Sequence, residues 1–323
     1  MIEPTIREAR IDDAELAADL MTASYPALAQ DPVITRYRWE HPREGYEAAR
    51  YIADLDGRPI ALLTWIHGPW SKLPERHCEV EVYLDQQHLD PELLDYLWTW
   101  IERKALATGA KLLLAYAVED EVEMLASIGR LGYSPDRSEK VWELDLEANG
   151  ARLVAEAREA RQAATNEGFE LLTLAGWRDP DRMRKLYELD ERTRQDIPHS
   201  LPILAESQAD FERRSNAPDR PHDRYWIALH HDQPVALSYL RFPPVRGSVW
   251  TGYTCSHPDF RGRGLARGVK LQSLAQAVEL RIPFVYTDND SENAPMLHIN
   301  EALGYARRPG FVEHHKRVKE SGA

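Results

Sequence analysis

The sequence predicts an α+β or α/β protein made of two consecutive copies of one domain. Three observations carry this prediction. The chain has 323 residues, room for two domains of about 150 residues with a core each. It repeats itself: Met124–Tyr133 (MLASIGRLGY) returns as Met296–Tyr305 (MLHINEALGY), and Arg58–Leu62 (RPIAL) returns as Gln233–Leu237 (QPVAL), in the same order at nearly the same offset. Stretches of alternating apolar residues also interleave with stretches of helical periodicity through both halves. The echoes divide the chain into residues 1–148 and 149–323.

In the first half, Ile6–Ala9 reads as a strand, and Asp12 or Asp13 caps a helix to about Ala23. Tyr51–Leu55 and Pro59–Trp65 are strands around the hairpin signal Asp56-Gly57. Glu79–Leu84 alternates Val80, Val82 and Leu84, a helix follows over Pro91–Thr108, and Leu112–Val118 is a buried strand. A short helix ends at Gly132, a residue suited to a helix C-terminus, and Lys140–Leu146 closes the half as a strand. Ala151–Thr165, rich in Ala, Glu and Arg, is a connecting helix. Glu156 and Glu159, interleaved with its arginines, mark a solvated face. The second half repeats the order. Phe169–Leu174 is a strand, Pro180–Arg194 and Ile203–Ser215 are helices, and Tyr225–His230 and Pro234–Phe242 flank a turn at Asp232-Gln233. Val249–Ser256 (strand), Leu265–Leu280 (helix), Phe284–Asp288 (strand), Asn293–Leu303 (helix) and Phe311–Val318 (strand) complete it.

Composition narrows the function classes. Lys plus Arg number 40 against 53 Asp plus Glu, a formal net charge of −13. That excludes broad nucleic-acid binding, which needs a basic footprint, and mildly favours a cationic partner such as an amine. Nine Trp and fourteen Tyr are too much aromatic mass for a disordered chain. Two distant cysteines, Cys78 and Cys255, make neither a disulfide framework nor a Cys-rich zinc site. The chain is charged from residue 3, so no signal peptide is expected, and its longest apolar runs are too short to cross a bilayer. The expectation is a reduced cytoplasmic protein, monomer or homodimer, without membrane, nucleic acid or metal.

One stretch carries sharp chemistry. Cys255–Ala266 reads CSHPDFRGRGLA, with an apolar-alternating strand before it and a helix after it. Glycines at such a strand-to-helix turn let backbone N–H groups approach a ligand. The new helix adds unpaired donors and the positive end of its dipole, so the turn is an anion site suited to phosphate. The P-loop Lys-Ser/Thr and the GxGxxG spacing are both absent.

Thr254–Lys270, TCSHPDFRGRGLARGVK, resembles the cofactor-binding motif of the GCN5-related N-acetyltransferases (GNAT), with Arg261, Gly264 and Ala266 at the family's Arg/Gln-x-x-Gly-x-Gly/Ala positions. Thr287–Tyr305 resembles the family's next strand and helix, and the two-copy layout is similar to its tandem members. The resemblance implies two GNAT-like domains, each a mixed, mostly antiparallel sheet flanked by helices. It implies that the amides from Gly262 through Arg263, Gly264 and Leu265 to Ala266 hold the pyrophosphate of acetyl-CoA. Backbone groups of Cys255 and Ser256 would pair with the pantetheine arm, an amide at that strand's bulge would face the thioester oxygen, and Asn289 and Asn293 would contact pantetheine. Where the offset places this loop in the first half stands Leu84–Pro91, LDQQHLDP, with no Gly or Arg and with Asp85 and Asp90 to repel a pyrophosphate. Acetyl-CoA is therefore expected only in the second half.

In this family an amine attacks the thioester directly, and a base must take its proton. Arg246–Pro258 contains no Asp or Glu, where many relatives carry that base. The candidates left are His257 on the strand-loop side and Asp288, Asp290 and Glu292 further on. The position where relatives place a tyrosine acid is Asn300, with Tyr253 and Tyr305 as substitutes. Cys255 as an acyl carrier is disfavoured against a role as a strand residue with its side chain packed away. The pairs His230-His231 and His314-His315 are read as surface residues with their rings on opposite faces. Trp39, Trp65 and Trp70 are candidates to line an acceptor pocket. The function expected is transfer of acetyl from acetyl-CoA to a small-molecule amine near the junction of the halves. The alternative is a non-catalytic acyl-CoA-binding or regulatory protein.

Overall fold

The computed structural model describes residues 3–198, 201 and 203–318. In chain order the first half contains β1 (Thr5–Glu8), α1 (Ala14–Ser24), α2 (Pro32–Glu40), β2 (Glu47–Leu55), β3 (Arg58–His67), β4 (His77–Leu84), α3 (Pro91–Ala107), β5 (Leu112–Val118), α4 (Val122–Arg130) and β6 (Ser134–Asp145). A connecting helix, α5 (Leu146–Asn166), leads to β7 (Glu170–Thr173), α6 (Arg182–Arg194), α7 (Gln208–Ser215), β8 (Tyr225–His230) and β9 (Gln233–Arg241). Then follow β10 (Val249–Ser256), α8 (Leu265–Glu279), β11 (Phe284–Asp290), α9 (Ala294–Leu303) and β12 (Ala306–Arg317). The echoed segments fall on equivalent elements: RPIAL and QPVAL open β3 and β9, and the MLxxxxxLGY stretches lie on α4 and α9 and the turns that end them.

All strands join one sheet in the order β1-β2-β3-β4-β5-β12-β6-β11-β10-β9-β8-β7. Neighbours are antiparallel except β4–β5 and β10–β11. Lys140–Leu146 and Phe311–Val318 are expected to close their own halves. The structure corrects this: the last strand of each half lies in the sheet of the other. Glu139–Asp145 pair residue for residue with Asp290–Phe284 of β11, and Leu112–Val118 of β5 pair with Arg317–Phe311 of β12. Alternation specifies a strand but not its neighbour, and β6 and β12 also pair with each other, which fuses the two sheets into one.

The other departures are local. Both hairpins turn on two left-handed residues, Asp56-Gly57 and His231-Asp232, so the second turn lies one residue earlier than expected. Helix α7 begins only at Gln208, because the Ser207 hydroxyl accepts the Asp210 N–H and caps it there. Helix α2 is missing from the sequence reading, although Asp31-Pro32 is a cap followed by proline at the first helical position. Asp31 does more than cap: one oxygen accepts the N–H groups of Val33 and Ile34, and the other accepts those of Val245 and Arg246 in the opposite half (2.6 and 3.0 Å).

Helices cover both faces. Helices α3 and α4 bury the apolar side of β3–β5 around Leu94, Trp98 and Ile101. Helices α5, α8 and α9 cover β6, β10 and β11 around Leu153, Leu271 and Leu303. Helices α6 and α7 pack with Leu186 and Phe211 on β8–β10. Among the described residues, no helix is long and apolar enough to cross a membrane.

Candidate active site

The strand–loop–helix unit from β10 to α8 builds the cofactor end. β10 pairs with β11 only at Val249↔Val285 and Trp250↔Tyr286, so beyond this point the strands part and leave a V-shaped gap. β10 bulges against β9 between Thr251 and Tyr253. The residue there is Gly252, whose missing Cβ makes room for the Tyr239 ring: an added carbon would lie 2.0 Å from it. Past the gap, Gly262 (φ 76°) and Gly264 (φ 72°) are left-handed, and a Cβ on either would meet open space. Gly264 precedes α8 directly, so the amides of Leu265, Ala266 and Arg267 are the unpaired donors of its first turn, while Gly268 already bonds Gly264. The chain therefore offers a backbone cradle open to solvent, at the positive end of a 15-residue helix. The residues fit a diphosphate.

The flanking side chains are placed as follows. Arg261 pairs with Asp196 just past α6, and the Arg263 guanidinium lies against the Phe169 and Phe260 rings (5.9 and 5.8 Å). Leu265 is buried and contributes only its amide, and Ala266 is half-buried. Ser256 ends β10 opposite Ala236. The Cys255 side chain packs into the apolar cluster around Leu186, and burial pushes its thiol up to about 12, which disfavours the thiolate an acyl carrier needs. Asn293 caps α9 through the Met296 N–H, and Asn289 accepts the Asn300 side-chain amide (2.6 Å).

In the first half the equivalent turn is filled by its own carboxylates. Asp85 accepts the Gln87 N–H, and Asp90 caps α3 through the Leu93 N–H. Asp90 precedes α3 just as Gly264 precedes α8.

The structure separates the catalytic candidates. Asp290 and Glu292 are both held by Arg137 of β6. His257 accepts the Asp259 N–H at Nδ1 and caps the loop, and Tyr253 donates to Thr193 of α6 (3.0 Å). Asn300 has no solvent-accessible surface. Its Oδ1 accepts from Lys270 Nζ (2.8 Å) and its Nδ2 donates to Asn289, so it braces α9 against α8 and β11 instead of presenting a proton donor. Lys270 is itself fully buried, with its ammonium 5.1 Å from the Tyr305 ring centre, and burial lowers it to about 7. The Tyr305 hydroxyl is buried near Thr251, with no well-formed hydrogen bond among the described residues.

Asp288 stands apart. It is on β11 just past the point where the strands part, and it lines a cavity of about 290 Å³ with Trp250, Arg241, Arg38 and Asp219. Burial raises its carboxyl above the ordinary value, partly offset by the positive charges of Arg241 and Lys270. This cavity shares Ile34, Arg38 and Asp219 with a larger one of about 840 Å³ between the halves, walled by Trp39, Trp65, Glu81 and Tyr83 on one side and by α7 on the other. Trp70 lines neither: it stacks on His67 and donates to the Thr108 carbonyl. Of the four residues proposed from sequence as catalytic, Asp288 alone lines either cavity among the described residues. The histidine pairs divide: His231 occupies the hairpin turn, His314 is buried, and His315 bonds Glu313 (2.5 Å).

Residues 181–305 match the model of the acetyltransferase (GNAT) family. A tandem GNAT protein from the clavulanic acid biosynthesis pathway superposes with a TM-score of 0.76 at 16% identity, over 99% of this chain and 100% of its own. The family match thus lies within the second half of this chain, and the whole chain has the tandem GNAT fold. A GCN5-related N-acetyltransferase from Sphaerobacter thermophilus is also similar (TM-score 0.68, 19% identity, 98% and 96% of the two chains). So is a GNAT-family acetyltransferase from Colwellia psychrerythraea (0.61, 11%, 97% and 100%). No curated protein matches the sequence. The family match of residues 181–305 and the fold of the whole chain together support acyltransferase chemistry.

The cavity-lining residues Arg38, Asp219, Arg220 and Arg241 are absent from the sequence reading. They come from α2, from a loop before β8 and from the end of β9, and no local pattern connects them.

Proposed function

We propose that the chain transfers acetyl from acetyl-CoA to the amine of a small molecule, in the second half, with Asp288 as the base. The observation that carries this reading is the alignment of three features. The left-handed glycine cradle opens α8, the gap between β10 and β11 leads from it, and Asp288 faces a cavity just past the point where that gap begins. The bound thioester supplies the acyl carbon: a C–N bond forms to the amine, the C–S bond breaks, and coenzyme A leaves as thiol. The chain does the rest. Amides of Gly262 to Ala266 and Arg263 hold the diphosphate, the unpaired edge of β10 past Trp250 holds the pantetheine amides, and the bulge at Gly252 aims a backbone N–H at the thioester oxygen. Asp288 accepts the proton that the ammonium must lose before attack, a contribution of about 10²–10⁴-fold. Its raised affinity for protons, a result of burial, brings it closer to that task than an exposed carboxylate. The proton for the departing thiolate comes from solvent, since Asn300 is enclosed.

The test is calorimetric titration with acetyl-CoA followed by thiol release with a panel of amines. One equivalent per chain and amine-dependent thiol are expected. Two equivalents would overturn the assignment to one half. Binding without thiol release from any amine would make the chain a non-catalytic acyl-CoA-binding protein.

A further inference from the structure

The arginines around the two cavities fall into two groups. Arg213 and Arg214 are neutralised in place: Arg213 by Asp210, and Arg214 by Glu206 (2.8 Å) and Asp190 (2.9 Å). Three others are not. Arg38 and Arg241 make no ion pair or side-chain hydrogen bond among the described residues. Arg220 comes only to 3.7 Å from Asp219, with its Nε and one terminal nitrogen buried and unpartnered. Arg241 Nε is also buried without a partner. The three lie close together where the cavities meet. Arg38, an exposed residue, lines both cavities, Arg241 the smaller and Arg220 the larger. Asp219 and Glu81 are near but leave guanidinium donors free. The buried donors of Arg220 and Arg241 without acceptors cost stability, and like charges gathered beside them at the cavity add to that cost. A bound oxyanion that accepts from several of these groups would offset both costs.

We propose that the cluster of Arg38, Arg220 and Arg241 is an oxyanion subsite, and that the acceptor is an amine that also carries a carboxylate or a phosphate. The inference rests on reading these cavities as the acceptor site. The amine would face Asp288 and the anion would face Arg38, both from the smaller cavity. The acidic net charge mildly favours a cationic partner such as an amine. The local charge at the junction points the other way, and the local field governs what the pocket holds.

The test uses the full chain with coenzyme A saturating the cradle, so that anions cannot report on the phosphate loop. Inorganic phosphate and succinate are added to wild type, Arg38→Gln and Arg241→Gln, and thermal unfolding is followed. Both variants are expected to be at least as stable as wild type, because each loses an unpaired charge. Either anion should raise the wild-type midpoint and leave the variants unmoved. Transfer is then measured with matched pairs: amino acids against their α-amides, and phosphoethanolamine against ethanolamine. The anionic member should be preferred, and Arg38→Gln should raise its KM by about 10- to 100-fold and that of the neutral member far less. The preferred pair tells carboxylate from phosphate. Transfer without preference for either anionic member overturns the subsite and leaves the transferase reading intact. An anion-dependent shift without transfer to any amine keeps the subsite and overturns the transferase reading. Equal shifts in wild type and variants overturn the subsite.

Discussion

Replacing Gly264 with Glu separates what the cradle contributes to folding from what it contributes to binding. The residue precedes α8 at φ 72°, and an added Cβ meets nothing within 4 Å, so the substitution has no steric term. A side chain in the left-handed region costs roughly 1–2 kcal/mol. Loss of glycine freedom in the unfolded chain returns about 0.4–1 kcal/mol, and a carboxylate at a helix N-terminus returns about 0.3–1 kcal/mol. The free protein should therefore lose about 1 kcal/mol at most. Binding responds differently. A carboxylate about 5 Å from a diphosphate charge, at an effective dielectric of about 20, repels it by roughly 3 kcal/mol, and solvent at this exposed loop reduces that toward 1. Acetyl-CoA should bind about 10- to 100-fold more weakly in calorimetry, with a nearly unchanged melting midpoint. Gly264→Ala, which keeps the backbone cost and omits the charge, should lose far less. Unchanged acetyl-CoA affinity in a folded Gly264→Glu protein would refute the cradle. The first half already carries the experiment: Asp90 occupies the equivalent position and bonds the helix donor an anion would use.

Three further outcomes follow from the same geometry. Asp288→Asn should leave acetyl-CoA affinity intact and lower kcat/KM by about 10²–10⁴-fold, abolishing the fall in activity on the acid side where the carboxyl takes up a proton; a variant with the wild-type pH–rate profile would remove Asp288 from the mechanism. Cys255→Ser should turn over at close to the wild-type rate, because the buried thiol at about 12 is protonated at neutral pH, while losing roughly 1 kcal/mol or more of stability to a buried hydroxyl; a collapse of turnover would revive an acyl-cysteine. Lys270 is lowered to about 7 in the folded chain from 10.5, so the unfolded chain holds its proton more tightly and stability rises with pH between these values, by up to about 5 kcal/mol; Lys270→Met should lack that rise, and parallel stability–pH curves for the two proteins would contradict the buried charge.

Much of this architecture is legible before any coordinates, and the reasons are local. The strand Leu112–Val118 is readable because both its faces are buried and the run is bounded by polar residues. The Gly262–Gly264 loop is readable because left-handed backbone beside a helix start demands glycine. Helix α2 was within reach through Asp31-Pro32, but its apolar positions are too few to show a periodic stripe. Asn300 was legible as a departure from a pattern. That it is sealed under Lys270 was not, since the two meet only once α8 and α9 are packed on β11. The arginine cluster lies beyond sequence reasoning for the same reason: Arg38 and Arg220 stand far apart in the chain, and the fold alone brings them to one cavity.

The exchange of final strands explains why a half without a cofactor cradle belongs to the machinery. β11 carries Asp288, and past Tyr286 it has lost β10 as a partner, so among the described residues the one strand bonded to its outer stretch is β6, from the first half. Val141 of β6 lies directly opposite Asp288, and Arg137 of the same strand fixes Asp290 and Glu292 beyond it. One wall of the gap is thus held rigid by chain that precedes the GNAT-family match. The same half contributes Arg38 and Asp31 on α2 and its cap, the first to the oxyanion subsite and the second as acceptor for Val245 and Arg246. A site built from strands that part in order to admit a ligand loses hydrogen bonds along both edges, and β-structure with free edges is poorly fixed. β6 pairs with the far edge of β11 and so anchors that strand, while the edge facing the gap stays free. On the proposed function, the first half lacks the glycine loop for coenzyme A but supplies the strand that backs Asp288 and the arginine that would meet the acceptor.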